Sequence, residues 1–137
     1  MAQIVRKDIR KPMIPCTFRD LDGNVPLPLP TSVLEEWYAR VRDIKIAELD
    51  VENLARACRQ NLYIEAVVPF CLMKLEEHPL AGEMYDGELV LALKKMSNDY
   101  WGTHSVERTQ FLALAKHAYQ ESGDRDLDVT EDDLLRK

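Results

Sequence analysis

The stretch Leu62–Glu77, LYIEAVVPFCLMKLEE, decides how the rest of this chain is read. Before its closing pair of glutamates it is interrupted by charge only at Glu65 and Lys74. A helix that is apolar on nearly every side must be covered by neighbours on most of them. The run is too short to cross a bilayer, which takes about 20 apolar residues. It is therefore predicted to be the central helix of a packed all-α core. Pro69 removes one backbone donor inside it and is expected to kink it.

Working outward, the flanking segments carry amphipathic patterns with caps. Ser32-x-x-Glu35 has the capping-box spacing, followed by Leu34, Trp37, Tyr38 and Val41 as one apolar stripe. Asp50 is placed as the N-cap of a second helix, with Leu49 and Leu54 spaced as a staple. On that helix Val51, Leu54, Ala55, Cys58 and Leu62 form the inner stripe, and Glu52, Arg56, Arg59 and Gln60 face water. His78-Pro79 stops the central helix, because a residue before proline avoids the helical region. Gly82 permits a turn, Asp86 is placed to cap GELVLALKKM, and Glu83 and Glu88 suit the positive end of that helix.

SNDYWGTHS reads as a second joint, with Tyr100 and Trp101 over the core edge. Thr103 or Ser105 is then expected to cap VERTQFLALAKHAYQES. Phe111, Leu114, Ala115 and Ala118 form its inward face, and Gly123 is a natural stop. Thr130 and Asp133 are spaced to start one terminal turn, with Leu134 and Leu135 docking. Before all of this, Pro12, Pro15, Pro26, Pro28 and Pro30 forbid a continuous helix, and IPCTFRDLDGNV allows a short strand or hairpin. The expectation is a single all-α domain, a compact bundle of about five helices joined by short loops. Residues 1–31 form an irregular or weakly β N-terminal section, 32–122 the helical core and 123–137 an acidic tail.

Composition narrows the function. The 137 residues are enough for one independent core, and the formal net charge is −6. The first twelve residues hold Arg6, Lys7, Arg10 and Lys11 against Asp8, which leaves −9 for the remainder. A body this acidic repels phosphate backbones, so direct nucleic-acid binding is not expected, whereas a basic protein partner is attracted. No apolar run is long enough for a membrane span, and the N-terminus lacks the apolar core of a secretory signal, so a cytoplasmic protein is expected. Cys16, Cys58 and Cys71 are odd in number and widely spaced, which argues against a disulfide frame or a zinc site. Cys58 and Cys71 lie on apolar faces and read as core residues.

The search for chemistry finds little. His78, His104 and His117 have no metal-binding spacing, and no phosphate-cradling or nucleophile-elbow motif occurs. Neither a catalytic residue, a metal site nor a cofactor is expected. Tyr85, Tyr100 and Trp101 stand beside Glu83, Asp86 and Asp99, and aromatics rimmed by charge suit a protein interface as well as a core edge. From the residues alone the chain is an acidic helical binding protein, with a non-catalytic adaptor or regulatory domain as the alternative.

One resemblance goes further. The segment LDVENLARACRQNLYIEAVVPFCLMKLEEHPLAGEMYDGELVLAL, followed by DYW, resembles immunity proteins of bacterial contact-dependent growth inhibition (CDI) systems. The order that carries it is a helix ending in Arg59-Gln60-Asn61, a helix bearing Pro69, a link through Gly82, a helix start at Tyr85-Asp86-Gly87-Glu88-Leu89, and Trp101. It spans about Thr31 to Trp101. The resemblance implies a cytoplasmic antidote that binds one toxic C-terminal domain of a cognate effector, many such toxins being nucleases that attack transfer RNA. It also implies that Arg59, Gln60, Pro69, Gly82, Gly87, Glu88 and Trp101 maintain the scaffold. Toxin contacts are then expected at Glu83, Tyr85, Asp86, Asp99, Asp124, Asp126, Asp128, Glu131 and Asp132.

Overall fold

The computed structural model describes residues 16–135, so the basic N-terminal segment with Pro12 and Pro15 lies outside the described residues. Among the described residues there are eight α-helices, two short 3-10 turns and no strand. The chain divides into two compact units, the first ending at Leu49 and the second beginning at Asp50.

In the first unit a capping box opens α1 (Phe18–Leu21). The Thr17 hydroxyl accepts from the Asp20 amide, and the Asp20 carboxylate accepts from the Thr17 amide. Gly23 and Asn24 then take positive φ of 81° and 58°, which turns the chain. The described part of IPCTFRDLDGNV is thus a helical turn followed by a reversal. The strand alternative is not taken there, because local side-chain caps satisfy the amides a partner strand would have needed. Val25 to Thr31 is exposed and without regular structure, as its prolines require.

The second element, α2 (Val33–Val41), begins at Ser32, whose hydroxyl accepts from the Glu35 amide. Glu35 does not return the bond to Ser32: its carboxylate accepts from the amide and hydroxyl of Thr31. Trp37 and Val41 are buried, while Leu34 is exposed, so the inner stripe is one turn shorter than its spacing implied. Phe18 stacks on Tyr38 with ring centroids 5.8 Å apart. Beneath them the Arg42 guanidinium donates to both oxygens of Asp22 at 2.7 and 2.9 Å, and the Tyr38 hydroxyl donates to the same carboxylate at 2.7 Å. The bidentate Arg42 contact holds the Asp22 carboxyl well below the usual carboxylate range.

The second unit is built on α3 (Val51–Arg59) and α4 (Ile64–Glu77). Asp50 caps α3 by accepting from the Asn53 amide, and Leu54, Ala55, Ala57 and Cys58 are buried. The apolar run Leu62–Glu77 supplies α4, which buries Val67, Val68, Phe70, Cys71, Leu72 and Leu75. It packs against α3, α5 (Glu88–Lys94) and α7 (Ser105–Ser122), the arrangement its all-round apolarity predicted. All three cysteines are free, and the buried Cys58 and Cys71 sulfurs are 3.6 Å apart. Burial pushes the Cys71 thiol well up, so it sits there as a small core residue.

Three of the eight helices have six residues or fewer, which is why the sequence suggested five. Besides α1 they are α6 (Asn98–Thr103), inside the expected joint SNDYWGTHS, and α8 (Glu131–Leu135). Neither Thr103 nor Ser105 caps α7. Its N-cap is His104, without a side-chain bond, and the Thr103 hydroxyl donates back to the Asp99 carbonyl. Gly123 ends α7 at φ 73°, as expected. The acidic tail is docked through the described residues: Leu127, Val129 and Leu134 are buried, and Thr130 and Asp133 cap each other. Leu135 stays exposed.

Candidate protein-binding face

The joint between α4 and α5 is held by one buried carboxylate. Glu88 is 2% exposed, and its Oε1 accepts from the amides of Glu83 and Met84 at 3.0 and 3.1 Å. Its Oε2 lies 3.5 Å from Nη1 of Arg59 at the end of α3. Asp86 is not the cap of α5. Gly87 occupies that position at φ 87°, and the longer side chain of Glu88 folds back over the loop to collect the free amides instead.

Two glycines allow this closure. A Cβ on Gly82 would lie 2.0 Å from the Tyr85 carbonyl oxygen and 2.8 Å from the Glu88 Cβ. One on Gly87 would meet the Leu127 methyls at 2.9 Å, so the tail's 3-10 turn (Arg125–Leu127) lies against the joint.

The remaining residues of the expected scaffold set are distributed along the same unit. Gln60 is exposed and contributes its backbone amide to the end of α3. The neighbouring Asn61, at positive φ, accepts from the Ser97 amide at 2.9 Å. Pro69 sits inside α4. Trp101 is fully buried, stacks on Phe111 and donates its indole N–H to the Leu93 carbonyl at 3.1 Å. It is core, whereas Tyr85 is 50% exposed.

The acidic residues proposed as contacts are all exposed, and they fall in two places. Glu83, Tyr85 and Asp86 project from the joint, together with Met84, which is 72% exposed. The turn that carries Asp124, Asp126 and Asp128 is fixed beside them through Leu127 and through the Lys94 ammonium, which donates to the Asp126 carbonyl. Asp99 is elsewhere, at the start of α6, where the Asn98 side chain donates to the Leu134 carbonyl of α8. Glu131 and Asp132 are on α8, and Glu131 lies 3.3 Å from Arg108.

A groove of about 450 Å³ runs alongside the joint. Val51, Pro79, Leu80 and Ala81 give it an apolar lining, while Glu83 and Glu121 line it with carboxylates, and His78 also borders it. Asp50 above all, with some burial and with Glu52 and Glu88, raises the Glu83 carboxyl above its ordinary value. Sequence reasoning missed Asp50, Glu52 and Glu121 as companions of Glu83. Asp50 was already accounted for as a cap and Glu52 as a solvated position, and Glu121 is far away in the chain.

His104 is more than a loop residue. Its ring stacks on Tyr100 at 3.9 Å, Nδ1 donates to the Tyr100 carbonyl at 2.8 Å, and Nε2 lies 3.0 Å from Glu65. Among the described residues no group of histidines, cysteines and carboxylates is arranged to hold a metal ion. No helix among them is long and apolar enough to cross a membrane.

The class defined by these features is an all-α protein with a firmly tied acidic loop and tail on its surface. The model of a family described as CDI immunity proteins matches residues 24–111, and the chain belongs to that family. It is thus an immunity protein of the contact-dependent growth inhibition type. The matched span contains the whole joint, the Arg59–Glu88 pair and Trp101, and stops before the acidic tail. No curated protein matches the chain.

Proposed function

We propose that the protein is a non-catalytic inhibitor that binds the toxic C-terminal domain of one cognate CDI effector in the cytoplasm, in a 1:1 complex. The family match carries this reading. The charge distribution supports its finer part. From Asp50 onward the sequence holds seventeen acidic and ten basic residues, a net −7. A toxin that cleaves transfer RNA must attract a polyanion and so presents a basic cleft. A surface bearing Glu83, Tyr85, Asp86, Asp99, Asp124, Asp126, Asp128, Glu131 and Asp132 matches that charge, docks over or beside the cleft, and excludes the substrate. Opposite charge also speeds encounter, to about 10⁸–10⁹ M⁻¹s⁻¹ at low salt. Rapid capture is what an antidote requires when each free toxin molecule turns over many substrates.

The test is co-purification with the C-terminal domain of the effector encoded immediately upstream, followed by a transfer-RNA cleavage assay with and without this protein. Stoichiometric protection is expected. A stable complex that leaves cleavage running would end the inhibitor reading, and absence of any complex would end the partner assignment.

A further inference from the structure

Resting on the reading of the chain as a toxin-binding protein, we propose that the groove beside Glu83 receives one lysine or arginine side chain of the partner. The shape and the chemistry of the groove agree on this occupant. Val51, Leu80 and Pro79 offer apolar contact to a hydrocarbon stem, and Glu83 and Glu121 stand ready for a charged head at its end. Lysine and arginine are the side chains that need both at once. Among the described residues no cation pairs with Glu83, while Asp50 and Glu52 crowd it with like charge. Glu88, by contrast, is already matched to Arg59. A cation entering the groove removes the crowding.

Two further features favour a protein-borne cation. Metal ions have no use for an apolar lining, and the described residues contain no metal-holding cluster. Met84 and Tyr85 stand exposed next to Glu83, the residue types that surround an anchor side chain in protein interfaces. The site is also firmly built. The Glu83 amide is bound by Glu88, so the loop that presents the carboxylate does not depend on that carboxylate for its conformation. Glu121 pairs with His117 at 3.1 Å on its own helix, which leaves the pair on the surface and exchangeable.

The experiment has two arms. In the first, acetyl-arginine-amide is titrated into the isotopically labelled protein and amide shifts are followed. Saturable shifts are expected at Gly82, Glu83 and Glu121, and their absence at high millimolar probe would overturn the proposal. In the second, the variant Glu83→Gln with Glu121→Gln is measured against the toxin domain, after its melting curve confirms folding. A Kd at least tenfold weaker is expected, with Glu36→Gln, at an exposed position of α2 outside the proposed contacts, changing it much less. If the toxin domain binds wild type and double variant equally, the groove assignment fails while the toxin-binding reading stands. If the toxin domain binds neither, that reading fails, and the titration alone decides the groove.

Discussion

The carboxylate of Glu88 and the guanidinium of Arg59 meet at 3.5 Å across the second unit, twenty-nine positions apart in sequence. The Glu88 side chain also binds two loop amides, so one residue ties the end of α3, the α4–α5 joint and the start of α5 together.

Glu88→Ala is therefore expected to lower stability by about 2–4 kcal/mol, since two amides and a cation lose their buried acceptor. Arg59→Ala is expected to cost about 1 kcal/mol, because Arg59 is 39% exposed and solvent already screens it. Urea denaturation of both variants checks the order. Equal losses would mean the ion pair, and not the loop amides, dominates.

The two joint glycines should differ in kind. Gly82→Ala puts a carbon against a backbone carbonyl that cannot swing aside, and a loss of about 3 kcal/mol is expected. Gly87→Ala meets only the movable Leu127 methyls but must hold a positive φ, for about 1–2 kcal/mol. Thermal melts rank the pair, and a Gly82 variant as stable as wild type would contradict the close approach.

His104 gives the protein a pH-dependent contribution. Burial opposes its charged form, but the Tyr100 carbonyl and the Glu65 carboxylate outweigh it, so its pKa is raised above 6.5. A raised folded-state pKa means stabilisation present in full below about pH 6.5 and lost as pH climbs through the raised value. Proton NMR titration of the imidazole should give a midpoint above 6.5, and His104→Gln should remove that part of the pH dependence of the melting temperature. A midpoint below 6.5 would show that burial prevails.

In the first unit Asp22 works in the opposite direction. Its pKa is depressed, first by the Arg42 contact, so its contribution is present above about pH 4 and lost as pH falls through the lowered value. Asp22→Asn should lower the melting temperature by several degrees at neutral pH and flatten its acid dependence. An unchanged acid limb would place the acid sensitivity elsewhere.

Reversing charge on the tail separates steering from holding. Lysine at Asp124, Asp126 and Asp128 together is expected to slow toxin association about tenfold at low salt and to weaken its salt dependence. Stopped-flow binding at two ionic strengths measures both. Unaltered neutralisation with an unaltered rate would remove the electrostatic role of the tail.

Much of the scaffold is legible in the sequence. An apolar run as complete as LYIEAVVPFCLMKLEE has only one economical place in a small protein, and Ser32, Asp50 and Gly123 mark helix ends because their effects reach no further than one turn. The short helices α1 and α6 were not legible, since four and six residues are too few to show a period. Asp86 has the spacing of a cap, yet Gly87 holds that position and Glu88 binds the loop amides, because local spacing cannot tell which side chain will fold back on a loop.

By itself, then, the sequence determined the all-α class, the central helix and the acidic balance, all of which follow from residue type and spacing along the chain. The tertiary structure decided which charges are spent inside the protein and which are left outside. Glu88 and Glu83 look alike in the sequence, yet one is buried on Arg59 and the loop amides while the other faces a groove beside Asp50 and Glu52. That difference depends on which distant residues a fold brings within a few ångströms, where Coulomb and hydrogen-bond energies act.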